Sequence, residues 1–275
     1  MVLALVVAVP AGDAELAADA LWALGVAAIE ERGGESGTED RVVELWTSLG
    51  DDAEAVTRAA EGFPARWRWR LVEVDESVAD TWRAHVTPTW VADDLVLVPA
   101  WLPFDAPAGV LAVRVEPGAA FGLGNHPTTV AALRAVRAAL FPDATVLDVG
   151  CGSGVLGIAA CLLGAARCEA IDVSPAAVTA TTDNAARNGV AGRVRASTTP
   201  LAEIDETFDV VVANILAPAL IELSADLRRV LASAGVLVIS GVLADRYDHV
   251  VEALAPLRVI EVDRLEGWAA ISLRA

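Results

Sequence analysis

Asp148-Val149-Gly150-Cys151-Gly152-Ser153-Gly154 follows a short apolar run, Thr145 to Val149, and opens a stretch of helical character. The glycines permit a tight turn and let a ligand approach the backbone, and the N-terminus of the following helix offers free N–H groups. Asp172 closes the next apolar run, 172 − 150 = 22 residues after Gly150. That is close to the ~20 at which an acidic side chain grips ribose hydroxyls in nucleotide sites. Ser174-Pro175 then reads as a helix start, with a capping serine and a proline at the first helical position. A literal GxGxxG is also present, at Gly152, Gly154 and Gly157, a pattern that alone is weak evidence for a dinucleotide. Asp148 discriminates. A carboxylate beside the loop is poorly placed near a diphosphate, and it suits a ligand carrying an ammonium and a sulfonium cation, as S-adenosylmethionine does. Glycines that serve helix–strand packing alone would not account for Asp148 and Asp172 together. Asp148, Gly150, Gly152 and Asp172 are therefore candidate cofactor-binding residues.

Outward from this loop, from His126 onward, a helix comes first and short apolar runs then alternate with helical stretches. The strand candidates are Thr145 to Val149, Cys168 to Val173, Val194 to Ser197, Asp209 to Ala213 and Val236 to Ser240, with Arg258 to Val262 and Trp268 to Leu273 as a closing hairpin. Apolar strands separated by helices predict a mainly parallel sheet covered on both faces. Toward the N-terminus the order is strand, helix, strand, strand, helix, strand. The spans are Val2 to Val9, Asp13 to Leu24, Val26 to Glu30, Arg41 to Leu49 after a Gly33-Gly34 turn region, Asp52 to Glu61, and Trp67 to Val74. That order suggests an α+β ferredoxin-like module. The expected organisation is an N-terminal domain over 1–77, a linker with lead-in strands over 78–118, and an α/β Rossmann-like domain over 119–275. Within 78–118, Trp82, Trp90, Trp101 and five prolines do not settle into one period.

Composition narrows the partners. The 275 residues are 55% hydrophobic, enough for a sizeable core, yet no apolar run reaches the roughly 18 residues of a membrane span. Met1 to Pro10 lacks a basic leader and reads as a buried strand rather than a signal peptide. Three cysteines, Cys151, Cys161 and Cys168, form an odd set that fits a reducing cytosol better than a disulfide framework, and no paired Cys/His spacing suggests a metal. The formal charge of −18 disfavours nucleic-acid phosphate and favours basic partners; keeping an alanine-rich chain soluble is the alternative reading. Every basic side chain other than histidine is arginine. Nothing in the chain calls for more than a monomer.

Two further segments narrow the family. Ala120-Phe121-Gly122-Leu123-Gly124-Asn125-His126-Pro127-Thr128-Thr129 precedes the core sheet, and Asn214-Ile215-Leu216-Ala217 ends its fourth strand. With the glycine loop and Glu266-Gly267-Trp268, these resemble the ribosomal protein L11 methyltransferase family, closely from Ala120 to the C-terminus and mainly in architecture over residues 1–77. The resemblance implies a class I methyltransferase that uses S-adenosylmethionine, acts on a basic ribosomal protein at its α-amine and lysine side chains, and recognises it through the N-terminal module. It places the donor-binding residues on Thr129, Gly150, Asp172 and Asn214, with Asn214 also orienting the amine. Leu123 stands where the family usually has threonine, Asn125 where threonine or histidine is common, and only Asp80, Trp82 and Arg83 match the family's linker pattern.

The alternatives are an amino methyltransferase acting on another protein, an RNA base or a small molecule, and a binding protein without the chemistry. Arg66, Arg68 and Arg70 alternate with Trp67 and Trp69, which predicts the tryptophans on one sheet face and a small basic stripe on the other. His126 reads first as a helix cap and Cys151 as a small loop residue. Asp183, Asn184 and Asn188-Gly189 read as helix surface and C-cap.

Overall fold

The computed structural model describes residues 2–22, 24, 26, 29–33, 42–48, 53–74, 86–116 and 124–275. Two compact units emerge, Met1–Val86 and Thr87–Ala275. Ala120 to Leu123, Asp80, Trp82 and Arg83 lie outside the described residues, as does Gly34 of the expected turn.

In the first unit, β1 (Val2–Pro10), α1 (Ala14–Trp22), β2 (Ile29–Gly33), β3 (Val42–Ser48), α2 (Ala53–Ala60) and β4 (Arg68–Val74) follow one another. The sheet order is β2-β3-β1-β4, and every neighbouring pair is antiparallel. Alternation along β1 sends Leu5, Val7 and Val9 to the face where Val43, Leu45, Leu21 and Val56 are also buried, as a strand's period of two dictates. Trp67 is buried in this core with Trp69 packed against it, and the Trp67 indole N–H donates to Asp13 at 2.8 Å. Arg70 takes the other face, where it pairs with Glu44 at 2.9 Å and lies over the Trp46 ring. The tryptophans are thus packing groups, and Glu44 offsets part of the arginine stripe. Gly33, expected at a turn, instead ends β2 opposite Val43.

The second unit holds a three-stranded sheet, β5 (Thr89–Ala92), β6 (Leu95–Pro99) and β7 (Leu111–Val115), in that order. Then come α3 (Pro127–Ala139), β8 (Thr145–Val149), α4 (Val155–Leu162), β9 (Arg167–Ile171), α5 (Pro175–Arg187), β10 (Val194–Ser197) and β11 (Phe208–Asn214). The chain finishes with α6 (Ala217–Glu222), α7 (Ser224–Arg229), β12 (Leu231–Leu243), α8 (Asp248–Ala253), β13 (Arg258–Leu265) and β14 (Trp268–Arg274). The large sheet runs β10-β9-β8-β11-β12-β14-β13, parallel from β10 to β12 and antiparallel at β14 and β13. One core lies where α3, α4 and the β5–β7 sheet cover it, and a second where α6, α7 and α8 do. Burial on both faces explains why β8 and β11 carry apolar runs rather than alternation. Thr145 fixes their register at the far end, donating from both its N–H and its hydroxyl to Asp209 at 2.9 and 2.8 Å.

Several arginines fasten backbone carbonyls. Arg114 donates to Leu102 and Phe104, Arg193 to Cys161 and Ala165, and Arg229 to Ile204 and Leu201. The guanidinium's fixed fork suits this use. No helix among the described residues is long and apolar enough to cross a membrane.

Among the described residues, Asp148 is the one fully buried carboxylate, 1% exposed on the interior strand β8. Its Oδ2 accepts the Gly157 N–H at 2.9 Å, in the first turn of α4, while Oδ1 has no partner. Burial pushes its pKa up to about 7, the Gly157 hydrogen bond opposes that, and Asp172 adds to it. Unfolded, the same carboxyl titrates near ~3.9. Between those values only the folded state holds the proton, so stability falls as pH rises from about 4 to about 7 and then levels. The span amounts to roughly 4 kcal/mol. Urea unfolding of wild type and Asp148→Asn at pH 5 and pH 8 should show the variant gaining roughly 2 to 3 kcal/mol on wild type across that range. A gap that does not move with pH would mean that Asp148 titrates normally.

Candidate functional site

Val149, the last residue of β8, pairs with Ile171 on one side and Ala213 on the other. The chain segments that follow, Gly150–Gly154, Asp172–Ser174 and Asn214–Leu216, therefore leave the sheet at one level. This is the carboxyl edge, at the point where strand order reverses between β8 and β11, and ligands of open α/β sheets sit in the crevice there.

The glycine loop is hung on β9, with Gly150 N–H and Cys151 N–H both donating to the Ile171 carbonyl, at 2.8 and 3.1 Å. Gly150 has φ 73°, and a Cβ on it would stand 2.4 Å from Ile215 Cγ2. The cradle thus closes under the residue that follows Asn214, and only glycine fits it. Asp172 lies just past β9, half-buried. Its Oδ2 accepts Gly152 N–H at 3.0 Å and its Oδ1 accepts Ser174 N–H at 2.9 Å. Each oxygen keeps a further lone pair, which is what a vicinal diol needs.

Thr129 and Asn214 are 85 residues apart and meet here. The Asn214 Nδ2 donates to Thr129 Oγ1 at 3.4 Å. Thr129 is buried in the first turn of α3, which begins at Pro127 with His126 as its cap. Ser240, opposite Asn214 in the register, donates to the Thr128 carbonyl at 3.0 Å and so docks that turn on the sheet edge. His126 Nδ1 accepts the Thr128 N–H at 3.3 Å, and its ring lies 5.2 Å from that of Trp268 at a steep angle. Burial pulls the His126 pKa below its ordinary value, with Glu266 opposing.

Asp148, just ahead of the loop on β8, is fully buried, with its Oδ2 on the Gly157 N–H. One sequence reading changes. Asn184 is not helix surface but 0% exposed, while Asp183 is exposed and Asn188 caps α5 ahead of Gly189, at φ 70°. Cys151 is buried, and desolvation drives its thiol pKa well up, which favours the thiol over the thiolate. Val173, expected at the end of a strand over Cys168 to Val173, lies past the end of β9 at Ile171 and is 97% exposed immediately after Asp172. An apolar side chain so placed offers a surface for an aromatic base. The sequence signal was available, since an apolar residue between an acidic strand end and a helix cap has no packing reason to be there.

Diol acceptor, apolar face, cradle and paired Thr129–Asn214 together fit a nucleoside carrying an amino-acid tail, and S-adenosylmethionine has those parts. The family model for ribosomal protein L11 methyltransferase (PrmA) matches residues 33–275. The ribosomal protein L11 methyltransferase of Symbiobacterium thermophilum is 42% identical over 210 residues, 76% of this chain and 68% of that relative. That of Geobacter sulfurreducens is 40% identical over 236 residues, covering 85% and 77%. The crystal structure of ribosomal protein L11 methylase from Lactobacillus delbrueckii subsp. bulgaricus is similar with a TM-score of 0.64 at 34% identity, over 68% of this chain and 98% of that one. The chain accordingly belongs to the ribosomal protein L11 methyltransferase family, whose methyl donor is S-adenosylmethionine.

Proposed function

We propose that this protein transfers methyl groups from S-adenosylmethionine to the α-amine and lysine side chains of ribosomal protein L11, the substrate named for its relatives. The observation that carries the proposal is the meeting of Asn214 with Thr129 beside the Gly150 cradle. The donor supplies an electrophilic methyl on a sulfonium. Asp172 holds the ribose diol, Val173 covers the base, Gly150 and Gly152 give close backbone approach, and Asp148 supports the loop. Thr129 and Asn214 hold the amino-acid end.

The remaining work is to align a neutral amine, and alignment of this kind can supply ~7 to 11 kcal/mol. Because the Asn214 amide nitrogen is turned to Thr129, its Oδ1 is the group that can accept from an incoming amine. Bringing a lysine from ~10.4 to neutrality near pH 7 costs roughly 4 to 5 kcal/mol at ~1.36 per unit. A dry pocket lowers that cost, and solvent takes the proton. An α-amine at ~7.7 to 8.0 needs little such help.

The charge of −18 supports a basic partner and a site that discourages nucleic acid. The N-terminal unit is read as the ferredoxin-like recognition module, supported by its element order and antiparallel pairing. A monomer working in the cytoplasm completes the reading.

Intact mass of ribosomal protein L11 after incubation with enzyme and donor should rise in steps of one methyl. Asp172→Ala should abolish those steps by loss of donor binding. Asn214→Ala should cut turnover by about 100-fold while donor affinity changes far less. An unshifted mass with donor binding intact would sink the substrate, and unchanged turnover in Asn214→Ala would remove that residue from the mechanism.

A further inference from the structure

The buried face of α5 carries three polar side chains, at Thr181, Asn184 and Asn188, each used on backbone rather than on solvent. Asn184 saturates its amide. Its Nδ2 donates to the Glu116 carbonyl at 2.8 Å and to the Ser153 carbonyl at 2.9 Å. Its Oδ1 accepts Glu116 N–H at 3.0 Å and Arg187 Nη1 at 2.7 Å. Two donors and two acceptors are the whole capacity of a primary amide. Reversing the amide would set its oxygen against two carbonyls, so the orientation is fixed by chemistry. Four residues on, Asn188 repeats the pattern on β7: Oδ1 accepts Arg114 N–H at 2.9 Å and Nδ2 donates to the Arg114 carbonyl at 2.7 Å. The i, i+4 spacing of a helix is about 6 Å and the i, i+2 spacing of a strand about 6.7 Å, so two amides match Arg114 and Glu116.

The two asparagines differ in one respect. Among the described residues, the Asn188 side chain bonds to β7 and to its own helix, whereas Asn184 also holds Ser153 of the glycine loop. Thr181 joins it there, donating to the Gly152 carbonyl at 3.1 Å. Successive carbonyls of the loop are thus drawn to α5, and the Gly152 N–H is drawn to Asp172.

We propose that Asn184 is a positioning residue for the methyl donor: its amide ties the Ser153 carbonyl to the end of β7 and so holds the glycine loop in one shape. This rests on the reading of that loop as the donor cradle. Asn184 touches no part of the donor and acts through the backbone of Gly152 to Gly154.

Asn188 supplies the control, because Asn188→Ala loosens β7 without releasing Ser153. Donor affinity by titration calorimetry, thermal midpoint, and amide hydrogen exchange over 150–157 should be measured for wild type, Asn184→Ala and Asn188→Ala. Both variants should lose thermal stability. Asn184→Ala should raise the donor Kd about tenfold, as loss of one or two buried hydrogen bonds implies, and accelerate exchange in the loop. Its kcat at saturating donor should stay within about threefold, and Asn188→Ala should stay within about twofold of wild-type Kd. If Asn184→Ala does not fold, Asn184→Ser, which keeps one donor at smaller volume, is judged by the same comparison. A Kd unchanged in the Asn184 variant, or raised equally by Asn188→Ala at equal loss of stability, would overturn the proposal. Wild type that binds no donor would instead overturn the reading of the loop on which it rests.

Discussion

Val149 is hydrogen-bonded into the sheet between Ile171 and Ala213, and that one register decides what the rest of the molecule can build. Because the strands on either side of β8 are parallel to it, their exits face the same way. A loop, an acid and an amide drawn from three separate parts of the chain arrive at one level of the sheet's carboxyl edge. A slip of one residue in β8 would turn Asp148 out of its buried seat beneath α4 and move the loop off Ile171. Thr145 and Asp209 guard against that slip at the opposite end.

Burial of Asp148 follows from that register. A carboxyl enclosed in the middle of a sheet is costly, and the fold offsets part of the cost with a single backbone N–H in the first turn of α4. Burial favours the protonated carboxyl, which ties β8 to the first turn of α4 behind the glycine loop.

Much of this was legible from the residues. The strands of the large sheet were readable because burial on both faces leaves short, uninterrupted runs such as Thr145–Val149 and Val194–Ser197, which the structure reproduces residue for residue. The capping pattern at His126-Pro127 and the acidic residue after β9 were readable for the same local reason. What escaped was non-local. The contact between Thr129 and Asn214 spans 85 positions and has no signature in spacing. The direction in which Asp148 points depends on which face α4 covers. Asn184 looks like any polar residue on a helix until β7 is laid against it. The strands β5 to β7 carry one tryptophan, Trp90, and one proline, Pro99, among buried aliphatic positions, a mixture without period.

The amide pairing along β7 also has a consequence for how the chain can vary in length. β7 lies at the edge of its three-stranded sheet, and side chains of α5 satisfy backbone groups that an edge strand would otherwise present to another chain. Helix and strand engage like two combs at matched pitch. One residue inserted between Asn184 and Asn188, or between Arg114 and Glu116, would break the match, so that only one of the two teeth could stay engaged. Insertions and deletions among descendants of this sequence are therefore expected in places free of that meshing, such as the turn from Pro107 to Val110, while the two combs keep their count.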